Sequence, residues 1–348
     1  MRRLRSIVLA LIVLFAVTMY TASTAAETTL FQSPPPHPGP PFDSPLPRPP
    51  LTATDLGILG GNESSAYGIN AHGQVVGSSE TASGGDHAFL WQDGVMTDLG
   101  TLGMDWSQAN AINDLGQVVG DSGHAFLWQD GVMTDLGTLG TGRSVAMGIN
   151  NRGQVVGWSE IETEVHAFLW EDGEMTDLGT LGGEYSTASG INERGQIVGT
   201  STTVLGELHA FLWEDGEMTD LGTMGGNGAG ASDINNHGQL VGTTDASVSC
   251  TRAILWSDGV VTELGTLGGY CSEANAINER EQIVGTSRTW WVWWRAFLWE
   301  DGVKTDLGTL AGDVTYAMSW AYDINGRGQI VGTCETPSGD MHACLWER

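Results

Sequence analysis

Basic side chains are scarce in this chain: 14 Lys and Arg stand against 42 Asp and Glu, a net charge of −28 over 348 residues. Affinity for nucleic acid comes mainly from Lys and Arg that neutralise phosphates, so no nucleic-acid partner is expected, and an anionic membrane surface is disfavoured on the same ground. Charged residues of both signs reach only 16%, against ~25% in an ordinary globular chain. Proline is nearly confined to one place, with ten of the 11 between Ser33 and Pro50. Cysteine is limited to four, and no Cys-x-x-Cys or His-Glu-x-x-His spacing offers a zinc site. There is no Asp-x-Asp-x-Asp-Gly calcium loop, no Gly-x-Ser-x-Gly elbow and no phosphate-binding loop. Beyond Ile7–Met19 no long apolar run occurs, and that one falls short of the ~20 residues of a membrane span.

Glycine is abundant instead, at 50 residues, and 14 tryptophans accompany it. Each glycine in a helix interior costs about 1 kcal/mol relative to Ala, which argues against a helical protein. The 41% hydrophobic content suffices for a packed core. At the N-terminus, Arg2, Arg3 and Arg5 precede the apolar run and then small residues, which reads as a signal peptide over residues 1–26, cleaved after Ala25 or Ala26. Three arginines and no acid leave with it, moving the net charge from −28 to −31. A secreted protein, extracellular or periplasmic, with no transmembrane segment after cleavage, is therefore expected. Residues 27–53 form a Pro-rich linker of polyproline character.

Residues 54–348 repeat. Ile-Asn-x-x-Gly-Gln begins at Ile69, Ile112, Ile149, Ile191, Ile234 and Ile324, and at Ile277 with Glu281 in place of the glycine. His-Ala-Phe-Leu-Trp begins at His87, His124, His166 and His209 and returns from Arg252, Arg295 and His342. Thr-Asp-Leu-Gly or Thr-Glu-Leu-Gly begins at Thr54, Thr97, Thr134, Thr176, Thr219, Thr262 and Thr305. Each motif occurs seven times. Asp-Gly between the second and third motifs is a strong hairpin signal, since both turn positions need positive φ. The Asn and Gly of the first motif suit the ends of a type I turn. Each unit thus reads as four short antiparallel strands, ordered within a sheet as Ser-x-Ala-x-x-Ile-Asn, Gly-Gln-Val-Val-Gly, His-Ala-Phe-Leu-Trp and Thr-Asp-Leu-Gly.

Four strands per unit of about 40 residues predict an all-β fold, a seven-bladed β-propeller. The chain enters with a lone Thr-Asp-Leu-Gly and ends on a hairpin lacking that strand, so Asp55-Leu56-Gly57 should pair with Cys344-Leu345-Trp346 and close the ring. The three motifs resemble the HAF family of bacterial extracellular repeat proteins over nearly all of residues 54–348. That resemblance implies secretion and a repeat fold and no particular activity.

Seven near-identical copies of a polar residue suit packing better than catalysis, which needs unlike residues converging once. Hairpin register puts Asp98 opposite Phe89 and diagonal to His87, so His87, His124, His166 and His209 are expected to bond Asp98, Asp135, Asp177 and Asp220. The repeated Trp91, Trp128, Trp170, Trp213, Trp256, Trp299 and Trp346 are expected to pack between sheets. No metal ligand, catalytic residue or cofactor is assigned, with weak Ca²⁺ binding by the acidic turns kept as an alternative. The even number of cysteines in an exported chain points to disulfides. Of three pairings, Cys250 with Cys271 and Cys334 with Cys344 is favoured, because Cys334 and Cys344 flank one hairpin and the other two fall on the long-connection face.

One segment breaks the repeat pointedly. Trp290, Trp291, Trp293 and Trp294 occupy a connection that is polar elsewhere, flanked by Arg288 and Arg295. In strand geometry their side chains would alternate, leaving some indole surface exposed. Exposed Trp beside Arg is what binding hot spots are made of. A non-enzymatic monomer binding an extracellular glycan or protein through this face is the expected function. A hydrolase or lyase at the channel mouth, built from Asp105, Trp106, Arg143, Tyr185, Tyr270 and Glu273, is the second reading. A structural envelope component is the third.

Overall fold

The computed structural model describes residues 51–247, 250–290, 293–312 and 316–348. It is all β, with 28 strands and no helix among the described residues, arranged in four-stranded antiparallel sheets. The strands Gly60–Ile69, Val75–Thr81, Asp86–Gln92 and Val95–Asp98 lie side by side in that order, and the later repeats follow the same scheme. Two of these sheets, covering residues 144–179 and 182–222, are linked edgewise by a single parallel bridge, Val165 to Tyr185. The last sheet takes its outer strand from the other end of the chain. Thr52–Asp55 pairs with Met341–Glu347, setting Thr54 against Leu345 and Asp55 against Cys344. That strand begins at Thr52, two residues inside the stretch expected to be linker. The signal-peptide and remaining linker assignments lie outside the described residues.

Local chemistry explains the turns. Asp93 and Gly94 have φ of 51° and 83°, the left-handed pair that a two-residue hairpin needs to match strand twist. At the other tight turn, the Gly73 N–H donates to the Asn70 carbonyl at 3.1 Å, and Gly73 has φ 82°. Glu281 stands in that place with φ 59°, a left-handed conformation that a side chain adopts at a cost. The glycine ending Val-Val-Gly is fixed by close approach. A Cβ on Gly77 would sit 1.9 Å from the Ser65 carbonyl oxygen, where the first strand bulges toward the second.

Packing runs from sheet to sheet. Val76, Ala88 and Leu99 of one sheet bury themselves with Ala109, Ile112, Val118 and Phe126 of the next. Leu56, Val331, Ala343 and Leu345 do the same with Ala66, Ile69, Val75 and Phe89, uniting the last sheet with the first complete one. A fully buried Phe contributes roughly 1.5–3 kcal/mol. The repeated tryptophans pack half-buried on these clusters, and Trp346 is buried outright. First strands of neighbouring sheets also meet, for a Cβ on Gly68 would touch Ala111 Cα at 3.1 Å and one on Gly190 would touch Asp233 Cα at 3.0 Å. Face-to-face sheets in chain order, with their first strands gathered together, are the architecture of a β-propeller.

Candidate functional site

The repeated polar residues are spent on the framework. His87, His124, His166, His209 and His342 each turn Nδ1 to a carboxylate, the partners being Asp98, Asp135, Asp177, Asp220 and Asp55. Register sets Phe89 opposite Asp98, as expected. Where the His is replaced, Arg252 bonds Glu263 at 2.7 Å and Arg295 bonds Asp306 at 3.2 Å. The Ala88 N–H donates to Ser107 Oγ at 2.8 Å, and that hydroxyl donates to the Gly100 carbonyl at 2.6 Å, tying one sheet to the next.

The Asn of every Ile-Asn turn reaches the following sheet. Asn70 Nδ2 donates to the Asn113 carbonyl at 3.0 Å, Asn113 to Asn150, Asn150 to Asn192, Asn192 to Asn235, Asn235 to Asn278 and Asn278 to Asn325. Sequence reasoning assigned this residue only its turn. Its recurrence as Asn in all units, where Asp or Ser would also serve a type I turn, was the available signal.

Both disulfides are present as expected. Cys250–Cys271 staples the third strand of one sheet to the first strand of the next, with Cα atoms 5.2 Å apart, and Cys334–Cys344 lies within the last sheet, with Cα atoms 5.9 Å apart.

Alternating strand geometry was expected through the aromatic segment, but the strand Ile283–Thr289 ends before it and Trp290 lies in a turn. The Thr289 N–H donates to the Trp293 carbonyl at 3.0 Å, closing the tip before the strand Trp294–Glu300 begins. Trp290 is 80% exposed, and its indole covers Gly268, two residues from Tyr270, itself 88% exposed. Trp293 meets Tyr316 edge-on, ring centroids 6.1 Å apart, and Tyr316 is 64% exposed. Trp294 is half-buried with the Arg288 guanidinium 4.9 Å from its ring centroid, a cation–π contact. Trp291 lies outside the described residues. Arg295, expected at the edge of a ligand, is committed elsewhere: besides Asp306 it donates from Nη1 to the Ala317 carbonyl at 2.9 Å.

The channel-mouth candidates fall into two groups. Arg143 is bonded to the buried Asp121, its guanidinium 5.2 Å from Trp106 and 5.8 Å from Trp158. Glu273 accepts from Thr251 Oγ1 at 3.3 Å, and burial pushes its carboxyl pKa up. Among the described residues Arg143 and Glu273 share no hydrogen bond or ion pair. Tyr185 and Tyr270 are exposed, and Asp105 is exposed beside Trp106. Nearer the axis, Asp233 accepts the N–H groups of Ile234 and Ile277, and Asp323 those of Ile324 and Ile69. Burial raises both carboxyls, Asp323 to about 7.

Between the first complete sheet and the last, an acidic cleft of about 440 Å³ is lined by Asn62, Glu63, Glu80, Gly84, Asp86 and Asp340. Among the described residues no group of three or more His, Cys, Asp or Glu has metal-holding geometry, and no helix is long and apolar enough to cross a membrane.

No family model matches the chain, and no curated protein matches it. Solved structures do. A puromycin hydrolase is 12% identical with a TM-score of 0.57, covering 83% of this chain and 52% of its own. A puromycin-hydrolyzing peptidase of Mycobacterium tuberculosis is 12% identical with a TM-score of 0.55, covering 85% and 50%. A chain of a mitotic checkpoint complex is 13% identical with a TM-score of 0.50, covering 93% and 99%. The chain spans about half the length of these two puromycin-hydrolysing proteins. At such identities the likeness is one of fold.

Proposed function

We propose that this chain is a secreted, closed seven-bladed β-propeller that acts by binding, with a neutral extracellular glycan as its ligand. Two disulfides support export to an oxidising compartment. Closure is supported by the strand Thr52–Asp55 completing the last sheet and by the apolar cluster that unites that sheet with the first complete one.

The observation that carries the binding assignment is the gathering of Trp290, Tyr270, Trp293 and Tyr316 at one end of neighbouring sheets, exposed or half-exposed. Aromatic rings offer a flat apolar face with a wet polar edge at little conformational cost, and sugar rings present the complementary flat C–H faces. Arg288 braces Trp294 from within the blade. The acidic surroundings disfavour anionic polysaccharides through like-charge repulsion and leave neutral ones. Arg295 has no part in this reading, because its guanidinium is already bonded. A protein surface is the other ligand that such aromatic anchors suit.

Retention of the mature protein on an insoluble neutral glycan tests the proposal. Replacing Trp290 and Trp293 together by Ala should abolish retention while thermal unfolding stays nearly unchanged. Undiminished retention of the folded double variant would overturn it.

A further inference from the structure

Asn-Gly occurs twice in the 348 residues, at Asn227–Gly228 and at Asn325–Gly326. Asparagine is thermolabile because the backbone nitrogen of the next residue can attack its side-chain amide, and a glycine there puts no side chain in the way. The two pairs are alike in sequence, but the structure separates them. Asn325 opens a tight turn and is buried, 5% exposed. Its Nδ2 donates to the Asn70 carbonyl and to Gln329 Oε1, and its Oδ1 accepts the N–H groups of Arg327 and Gln329. With both ends of the amide bonded in this way, Asn325 cannot turn toward the Gly326 nitrogen until those bonds break.

Asn227 lies in the crossover before the strand Ala229–Ile234 and is exposed. Among the described residues its side chain makes no hydrogen bond, and neither does the Gly228 N–H. The backbone on either side is tied to Asp245. The Asn227 N–H donates to the Asp245 carbonyl at 3.4 Å, and the Gly228 carbonyl accepts the Asp245 N–H at 2.9 Å. Asp245 Oδ2 is close as well, 3.1 Å from the point that a Cβ on Gly228 would take, so a carboxylate base stands beside the attacking residue.

We infer that Asn227 is a self-modification site, a chemical clock built into this crossover. The Gly228 nitrogen adds to Asn227 Cγ and yields its proton to a base, and the side-chain nitrogen leaves as ammonia, closing a succinimide. Water then opens that ring at either carbonyl. An aspartyl or isoaspartyl residue is left at position 227, with no change of oxidation state. Either product sets a new negative charge near Asp245. The isoaspartyl link also adds a carbon to the backbone between the Asn227 N–H and the Gly228 carbonyl, the two groups that grip Asp245. The lengthened segment no longer matches the spacing of those two bonds, so the crossover loosens as the protein ages. This site does not depend on the glycan reading.

Incubation in heavy-oxygen water is the test, because hydrolysis leaves a solvent oxygen in the product. The folded full chain is held in it at neutral pH, and peptide mass mapping follows positions 227 and 325. Local opening has to precede reaction at the bonded Asn325, so position 227 should take up label at least about tenfold faster. In urea the same chain should label both positions at similar rates. Equal labelling of the two in the folded chain, or none at 227 while the chain in urea is fully labelled, would overturn the inference. Asn227→Gln, whose longer arm must close a larger ring, should stop the label at 227 and leave 325 unchanged. Hydrogen exchange at the Asp245 N–H should quicken at least about tenfold in the aged natural chain and stay constant in that variant. Unchanged exchange after full conversion would overturn the loosening. The labelling comparison needs only the natural chain, so it decides the site whether or not the variant folds.

Discussion

Asn325 Nδ2 donates to the carbonyl of Asn70 at 3.0 Å, across 255 positions of sequence. The bond has the same donor, acceptor and length as the one from Asn70 to Asn113, where the separation is 43. The last sheet thus bonds the first complete one with the chemistry that links consecutive sheets.

If the joints are equivalent, their loss should be equivalent too. Asn325→Ala and Asn192→Ala each remove a buried side chain that bonds its own turn and the next sheet. Each should cost about 1–3 kcal/mol, read as a lower urea midpoint at constant slope. A markedly smaller effect at Asn325 would show that the terminal joint bears little load.

A second series of bonds is incomplete. The N–H groups of Ala71, Asp114, Asn151, Glu193 and Asn236 donate to side chains one sheet on, the last of them to Glu279. Gly326 interrupts the series, since it has no side chain to offer Glu279, and a Cβ there meets nothing within 4 Å. Gly326→Asn should raise stability by about 0.5–1 kcal/mol, by supplying the acceptor and by restricting the unfolded chain. Thermal unfolding at matched pH reads the gain.

Asp323 gives the fold a pH dependence of definite sign. Its folded pKa, about 7, lies above the unfolded value near 3.9. The folded state therefore binds the extra proton between those values, and the resulting stability is fully present below about pH 4 and lost as pH rises through 7. Asp323→Asn should flatten this slope, an effect on the order of a few kcal/mol across the window. Equal pH slopes of melting temperature in the two proteins would count against the assignment.

Cys334 and Cys344 occupy places that other sheets give to Ser and Phe, as in Ser201 and Phe211. Removing the crosslink through Cys334→Ser and Cys344→Ser should cost about 2–4 kcal/mol. Combining Cys334→Ser with Cys344→Phe should recover part of that by refilling the core with the repeat's own side chain. Urea unfolding of the three proteins in parallel checks the order.

Much of the frame was legible because it recurs. The Asp-Gly turns, the His87–Asp98 pairing and the strand order follow from local periodicity and hairpin register, which are short-range. The disulfides were legible for the opposite reason, as rare residues standing out from a uniform background. What escaped was contact between sheets. Asp323 reaching Ile69 and Lys304 reaching Gly265 join residues tens to hundreds of positions apart, and repeat spacing says nothing of their distance in space, whereas Trp106 and Arg143, named together from the sequence, do meet. The aromatic segment was found by its composition, while its shape depended on a turn closed by Thr289 and Trp293.

The hairpin tip between second and third strands varies while the pairing beneath it does not. Val118 faces Trp128 across a minimal connection, and Val75 faces Trp91 across a longer one, in the same register. Length and composition differ at these tips while the strand register is kept. That separates what holds the molecule together from what it presents, so a peptide grafted in place of the exposed Val204 and Leu205, with Gly206 and Glu207 kept to close the turn on Thr203, would be displayed without touching the strand pairing.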